Sequence, residues 1–416
     1  MANEKFVFVE KSEKLDKEQL RPSLTYWQDV WRRLKGNRLA MAGLVGVVMI
    51  ILFGVFGPSF SKYSYEDQIL DFANISPKFE VYQLEDDLFV FLTSDYKLVS
   101  VNGDGELLAR HKTVNLDVIN KRYTYDLNGN EEADDGDVIV DFSYKLDPAK
   151  ADEGINYSVT YKGIENKEFY GKMKNKTFVW GSDNLGRDIL TRVMYGARIS
   201  LTIAFVATIV NLLIGVTYGS ISGYEGGRVD NIMMRIVDII NSIPLLLYVI
   251  LLMVIFTPNE DSPAWFITFV NAIGDLGVII IALASVYWVG MARLVRGQVL
   301  GLKEQEFVLA ARTIGVSKRK IIFRHLIPNA MGPIIVSMTM MIPSAVFTEA
   351  FLSFIGLGVS APMASWGTLA NDSLGGLTSY PYQLFYPAAA IAITMLAFNF
   401  LGDGLRDALD PRLRKG

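Results

Sequence analysis

The sequence predicts an all-α membrane bundle of six crossing helices, with a mostly-β domain inserted between the first and the second. Three observations carry this. The chain is 51% hydrophobic with a mean hydropathy of +0.27, too apolar for an ordinary soluble protein. Its apolar residues gather in nearly charge-free stretches at 39–56, 201–220, 243–256, 278–289, 334–354 and 388–401. A single acidic segment, 62–178, interrupts them with short alternating patterns.

A bilayer core of about 30 Å needs roughly 20 predominantly apolar helical residues, so each stretch with its flanks is one candidate crossing. The fourth is the weakest. There Gly274-Asp275 separates Ile267–Val270 from Val278–Val289, which predicts a short outer helix ahead of the span proper. The first stretch follows a long charged leader without a small-residue cleavage pattern, and so reads as a retained helix over 39–61. With no cysteine, the chain forms no disulfide or thiolate metal site. His111 and His325 are its two histidines, too far apart for a helical His-x-x-x-His pair.

Orientation follows the cations, because Lys and Arg in short flanking loops stay on the cytoplasmic side. Arg32, Arg33, Lys35 and Arg38 precede span one; Arg293 to Arg324 supply eight between spans four and five; Arg406, Arg412, Arg414 and Lys415 follow span six. Connections 257–277 and 358–387 contain neither Lys nor Arg. Six crossings put both termini in the cytoplasm and segment 62–178 outside. That segment holds 14 Lys/Arg against 23 Asp/Glu, although the whole chain is only −4.

The domain plan is therefore a cytoplasmic leader (1–38), span one (39–61), the outer insertion (62–178), a helical core of spans two to six (179–404) with a cytoplasmic loop at 302–329, and a tail (405–416). In the leader, Thr25-Tyr26-Trp27-Gln28 has capping-box spacing, and Val30, Trp31 and Leu34 follow at helical intervals. This is either an amphipathic helix at the membrane interface or one packed on protein, with Trp27 and Trp31 as anchors. In the insertion, stretches at 79–84, 88–93, 97–101, 138–144 and 157–161 read as strands, with turns at 102–105 and 126–130. Asp126, Asn128, Asn130, Asp134 and Asp137 approach calcium-loop spacing, but Glu131 occupies the sharp-turn position usually held by glycine. A solvated acidic turn is the preferred reading.

No phosphate-cradling Gly-x-x-x-x-Gly-Lys-Ser/Thr, no Gly-x-Ser-x-Gly and no His-Glu-x-x-His occurs. No catalytic residue, metal site or nucleic-acid partner is assigned, and any driving chemistry is expected from a partner. The loop at 302–329 is patterned for docking: Phe307, Ala310, Ala311 and Ile314 share a helical face, and Gly315 suits a left-handed cap. Ser317 then caps a second helix that ends before Pro328, with Ile321, Ile322 and Leu326 on one side and Lys318, Arg319, Lys320 and Arg324 on the other. On pattern alone, a surface hairpin obeying the charge rule fits equally well.

Within the membrane, Gly215, Gly219 and Gly223 recur every fourth residue, permitting close helix approach. Glu349 toward the outer end of span five is a candidate pathway or gate residue; Arg235 and Asp238 at the cytoplasmic end of span three are a candidate ion pair. Both sites are expected to be hydrated from the nearby interfaces. Pro244, Pro333 and Pro343 are candidate kinks.

Glu306 to Gly315 with Leu326-Ile327-Pro328 resembles the coupling loop of bacterial ABC-importer permeases. The likeness extends to Gly181-Ser-Asp-Asn-Leu-Gly-Arg-Asp, to Leu352-Ser-Phe-Ile-Gly-Leu-Gly-Val, to Ser365-Trp-Gly and, most specifically, to Asn399-Phe-Leu-Gly-Asp-Gly-Leu-Arg-Asp-Ala-Leu-Asp-Pro-Arg-Leu. These resemble the C-type permease subunit of the oligopeptide and dipeptide importers. The resemblance implies the type I importer permease fold in a bacterial cell membrane. It further implies a homologous B-type permease, two ATP-binding subunits that hold ATP and magnesium, and an extracellular peptide-binding protein. Glu306, Ala310, Ala311, Gly315, Ile327 and Pro328 would then form the contact with an ATP-binding subunit.

The chain departs from the pattern twice. Leu309 directly precedes the alanine pair where the general pattern has glutamate, with Glu306 one helical turn earlier, and the outer insertion is long for such a subunit. Metal-chelate cargo is the alternative within the same group. A secondary transporter and a membrane receptor with ligand-binding residues 62–178 are rivals from other classes.

Overall fold

The computed structural model describes residues 25–146, 156–259 and 262–410. The leader ahead of Thr25 and the tail beyond Asp410, with Arg412, Arg414 and Lys415, lie outside the described residues.

Helix α1 (Tyr26–Gly36) starts at Thr25, whose backbone N–H donates to the Gln28 side chain at 2.9 Å. Val30 and Leu34 pack on Ala40, Ala408 and Leu409, while Tyr26, Trp27 and Trp31 face outward. The helix is thus packed on protein along one face. α2 (Arg38–Phe60) is capped by the Asn37 side chain on the N–H groups of Leu39 and Ala40.

After the insertion come α3 (Ile189–Glu225), α4 (Gly227–Ser242), α5 (Leu245–Ile255), α6 (Ala264–Leu302), α7 (Glu306–Thr313), α8 (Lys318–Leu357), α9 (Trp366–Asp372) and α10 (Pro381–Leu409). Five of these, α2, α3, α6, α8 and α10, are long and apolar enough to cross a membrane, and α4 and α5 make a sixth crossing if counted as one broken span. The two meet at 86° across Ile243-Pro244. At about 1.5 Å per residue, α5 alone would reach roughly 16 Å, half of a bilayer core. α6 is broken at Gly274, whose φ of 62° is left-handed, so a short helix does precede the longer apolar segment.

Two proline sites show how the helices absorb missing donors. Pro58 has no N–H for the Gly54 carbonyl one turn earlier, and Arg198 of α3 donates there instead through Nε at 2.6 Å, with a second bond to Val55 at 2.6 Å. Pro328 does not end the second loop helix, contrary to the expectation above. A wide π-turn over Ile322–Leu326 carries the helix into span five: with Ile327 N–H reaching back to the Ile322 carbonyl, the ladder has already shifted register where proline offers no donor.

The insertion folds into two five-stranded antiparallel sheets. The first has the order β10-β1-β2-β3-β4, from Gly171–Lys174, Lys78–Glu85, Leu88–Leu92, Leu98–Asn102 and Leu107–His111. In the second, β5 to β9 run consecutively from Thr113–Asp117 through Arg122–Tyr125, Val138–Asp141 and Ser158–Tyr161 to Ile164–Asn166. One face of the first sheet, with Phe79, Val81, Phe91 and Val99, packs on Ile75 and Phe178 at the insertion's own ends. Its other face, with Tyr82, Val90 and Leu98, packs on Tyr125, Val138, Val140 and Val159 of the second sheet. Covered on both sides, β3 buries consecutive rather than alternate residues.

The segments flanking the first sheet are also tied to the helices. Trp180 stacks on Tyr386 of α10 with centroids 4.4 Å apart, and Gln383 donates to Asn74 and to the Ser182 carbonyl at 3.0 and 3.1 Å.

Candidate functional site

The loop between α6 and α8 is a helical hairpin. Gly315 (φ 77°) closes α7, with the Val316 N–H bonded to the Ala311 carbonyl and the Gly315 N–H to the Arg312 carbonyl, each at 3.0 Å, the two bonds of a Schellman cap. Val308 and Ala311 are buried against Val295, Val299, Ile321, Ile322, Leu326 and Tyr224. Ala311 therefore belongs to the inner face, not to the face of Phe307, because Val308 and Ala311, three apart, turn inward together. Left outward are Phe307 (41% exposed), Ala310 and Ile314 (79%), beside the exposed Glu306 and Leu309. Lys318, Arg319, Lys320 and Arg324 are exposed, Ile327 is half-buried and Pro328 is exposed. Ser317 precedes the second helix, but its side chain makes no capping bond. The outcome is an apolar helical face without a covering partner among the described residues.

Span packing brings the three glycines against α6. A Cβ on Gly215 would lie 2.6 Å from that of Met291, and one on Gly223 would lie 2.9 Å from the Arg296 carbonyl. At Gly219 the Ala292 carbonyl occupies the space.

Arg235 and Asp238 do not pair. Asp238 accepts from Arg293 of α6 at 2.7 Å, and Arg235 is exposed. An arginine one turn N-terminal to an aspartate is the poorer helical order, and α6 presents a guanidinium opposite.

Glu349 does not reach the solvent-accessible surface, contrary to the expectation that it is hydrated from a nearby interface. It is wholly buried, because the chain folds back through α9 and sets Trp366 into the bundle, with indole Nε1 donating to the Val193 carbonyl at 3.0 Å. Ser353 Oγ donates to Glu349 Oε1 at 2.8 Å, while Oε2 has no hydrogen-bond partner among the described residues.

Beside this outer segment lies a charge cluster that the sequence reading did not single out. Asp183 accepts from Arg187 Nε at 2.7 Å and from Arg192 at 2.6 Å, both arginines being at least nine-tenths buried. Asp372 at the end of α9 stands 3.5 to 3.8 Å from the same guanidinium groups. The spacing Asp-x-x-x-Arg-x-x-x-x-Arg ahead of an apolar run was the available signal.

In the inserted domain, Asp126 accepts from the N–H groups of Glu131 and Gly129 at 2.9 and 2.6 Å, and these bonds hold its carboxyl below the usual range. Asp137 likewise caps Leu127 and Asp134, while Asn128 and Asn130 donate to Asp134. The carboxylates thus organise the turn itself. Among the described residues, no group of three His, Cys, Asp or Glu is placed to hold a metal ion.

Residues 215–415 match the family model of the binding-protein-dependent transport system inner membrane component, and residues 25–77 match the N-terminal TM domain of oligopeptide transport permease C. The oligopeptide transport system permease protein OppC of Bacillus subtilis is 40% identical over 94% of this chain and 92% of its own length. The chain belongs to this permease family. The dipeptide transport system permease protein DppC of the same organism is 39% identical over 95% of this chain and 88% of its length. OppC of Escherichia coli is 32% identical over 97% and 95%. Membership makes the chain an inner membrane component of a transporter, and the α7–α8 hairpin falls within the matched permease region.

Proposed function

We propose that this chain is one of two permease subunits enclosing the pathway of an ATP-driven oligopeptide or dipeptide importer. Its six spans count α4 and α5 as one broken crossing, and both termini lie in the cytoplasm. A homologous B-type permease completes the pathway. Two ATP-binding subunits supply ATP and magnesium chemistry, and one of them docks on the α7–α8 hairpin through Glu306, Ala310, Gly315, Ile327 and Pro328, with Ala311 seating α7 from beneath. An outer peptide-binding protein delivers cargo, and the acidic insertion helps to seat it. Glu349 sits in the outer gate, under α9.

The observation that carries this reading is the outward face of α7. An apolar surface formed by Phe307, Ala310 and Ile314 on a rigidly capped helix is costly to leave wet, at about 25 cal/mol per Å² of apolar area, and a partner's cleft removes that cost. Its cations support a position on the cytoplasmic side, where an ATPase works. The alternation of access then follows from movement of the docked hairpin, which is continuous with span five through the π-turn.

The test is peptide uptake by cells carrying Gly315→Phe or Glu306→Lys. The first forces a side chain into a left-handed position, and the second reverses the charge at the start of α7. Both should abolish uptake while the protein remains in the membrane. Normal uptake in both variants would remove the docking assignment.

A further inference from the structure

The α7–α8 hairpin grips an element that is not its neighbour in the chain: the last turn of α3. Four consecutive residues there are each held from outside their own helix. Ser222 Oγ donates to Asp230 Oδ1. The Gly223 carbonyl accepts from Lys303 Nζ at 3.0 Å. Tyr224, 9% exposed, is packed among Val308, Ala311 and Ile321, and its ring lies 5.0 Å below the Arg312 guanidinium. Glu225 accepts from Lys318 Nζ at 2.9 and 3.0 Å. Thus α7 supplies Arg312, α8 supplies Lys318, and the end of α6 supplies Lys303.

Immediately beyond this turn the chain bends. Gly226 (φ 65°, ψ −166°) and Gly227 (φ 57°) take conformations that other residues avoid, and α4 starts there. The bend is pinned by Asp230, which receives a two-pronged contact from Arg296 Nε and the guanidinium NH2, each at 2.6 Å, in addition to Ser222.

We propose that the segment from Ser222 to Asp230 is a transmission joint: the docked hairpin moves α3 directly through Tyr224 and Glu225, and Asp230 fixes the angle at which α3 hands the motion to the broken α4–α5 pair. Rigid movement of the hairpin must carry the last turn of α3 with it or sever the ring contact and the Lys318 bonds together. Tyr224 and Glu225 are positioning residues. Tyr224 is buried on the inner side of the hairpin, away from the outward face of Phe307 and Ile314, while Glu225 is exposed beside it and paired with Lys318. The proposal rests on the reading of the hairpin as the ATPase dock.

The test uses the complete transporter in proteoliposomes with the binding protein and radiolabelled tri-alanine, reading uptake and ATP hydrolysis in the same sample. Tyr224→Ala is expected to copurify with the ATP-binding subunits and to hydrolyse ATP, with uptake per ATP reduced about fivefold, the scale of one lost cation–π contact. Tyr224→Phe keeps the ring and should keep the ratio. Glu225→Lys should lower the ratio, and Glu225→Lys combined with Lys318→Glu should restore it, which settles the matter even if Tyr224→Ala fails to assemble. An unchanged ratio in Glu225→Lys, or no restoration in the double variant, would overturn the joint. Absence of ATP-binding subunits from the unaltered chain would instead overturn the docking reading itself.

Discussion

Arg198 illustrates how much of this fold depends on single side chains that repair a local defect. The carbonyl of Gly54 is left without its helical donor by Pro58, and a polar group unpaired in the membrane costs several kcal/mol. Arg198→Leu should therefore lower the thermal midpoint of the detergent-purified protein, with a loss of about 1–3 kcal/mol, and an unchanged midpoint would show the bond to be dispensable. His111 is a comparable case in the outer domain. It joins the two sheets, with Nδ1 against the Asp126 carbonyl and Nε2 against Ser100 Oγ, each at 2.9 Å. Burial lowers its pKa, with the Asp126 carbonyl bond opposing that shift. The folded domain thus favours neutral imidazole: the stabilisation is full above the ordinary value of about 6.5 and is lost as pH falls through the lowered folded value. Hydrogen-exchange protection at β3 and β4, taken relative to the intrinsic exchange rate at each pH, should fall between pH 7 and pH 5, and His111→Gln should flatten that dependence. At this scale, residue types were legible in the sequence but their partners were not. Asp238 meets Arg293 from fifty-five positions away, and only tertiary packing brings α6 to it.

Among elements, legibility followed the range of the interaction that fixes each one. Strands β1, β2, β3, β7 and β8 were readable because β-branched and aromatic runs between turn residues are local signals, whereas β4, β5, β6, β9 and β10 carry too few apolar residues to stand out. The break at Gly274 was readable from Gly-Asp alone. Pro244 marked a kink, but an 86° turn depends on how α4 lies against α3 and α6, which local pattern does not encode. The proline rule misplaced the end of the second loop helix because a π-turn offers an alternative to termination. The insertion makes a prediction of its own. Its ends pair with each other, Lys78 opposite Lys174, and Asn175 bonds back to Ser76 and Pro77, so the segment leaves and returns at one place. Deleting residues 76–172 with a short linker should leave the helical part in the membrane at near-normal level, while uptake driven by the binding protein falls. Unchanged uptake would remove the seating role.

For the whole molecule, the chain joins an inserted sheet domain, a helical bundle and the α7–α8 hairpin through a few specific contacts: Trp180 on Tyr386 at one end, glycines against α6 in the middle, and Tyr224 under Arg312 at the other. The sequence contains no P-loop motif, and on the proposed reading the work of transport enters through the hairpin. The most direct measurement is uptake of a labelled peptide into proteoliposomes, comparing the complete transporter with this chain reconstituted alone. Uptake should require ATP and the ATP-binding subunits, and the chain alone should show none under an imposed proton or sodium gradient. Gradient-driven uptake by the isolated chain, or a purified chain that brings no ATP-binding subunit with it from the membrane, would contradict the account.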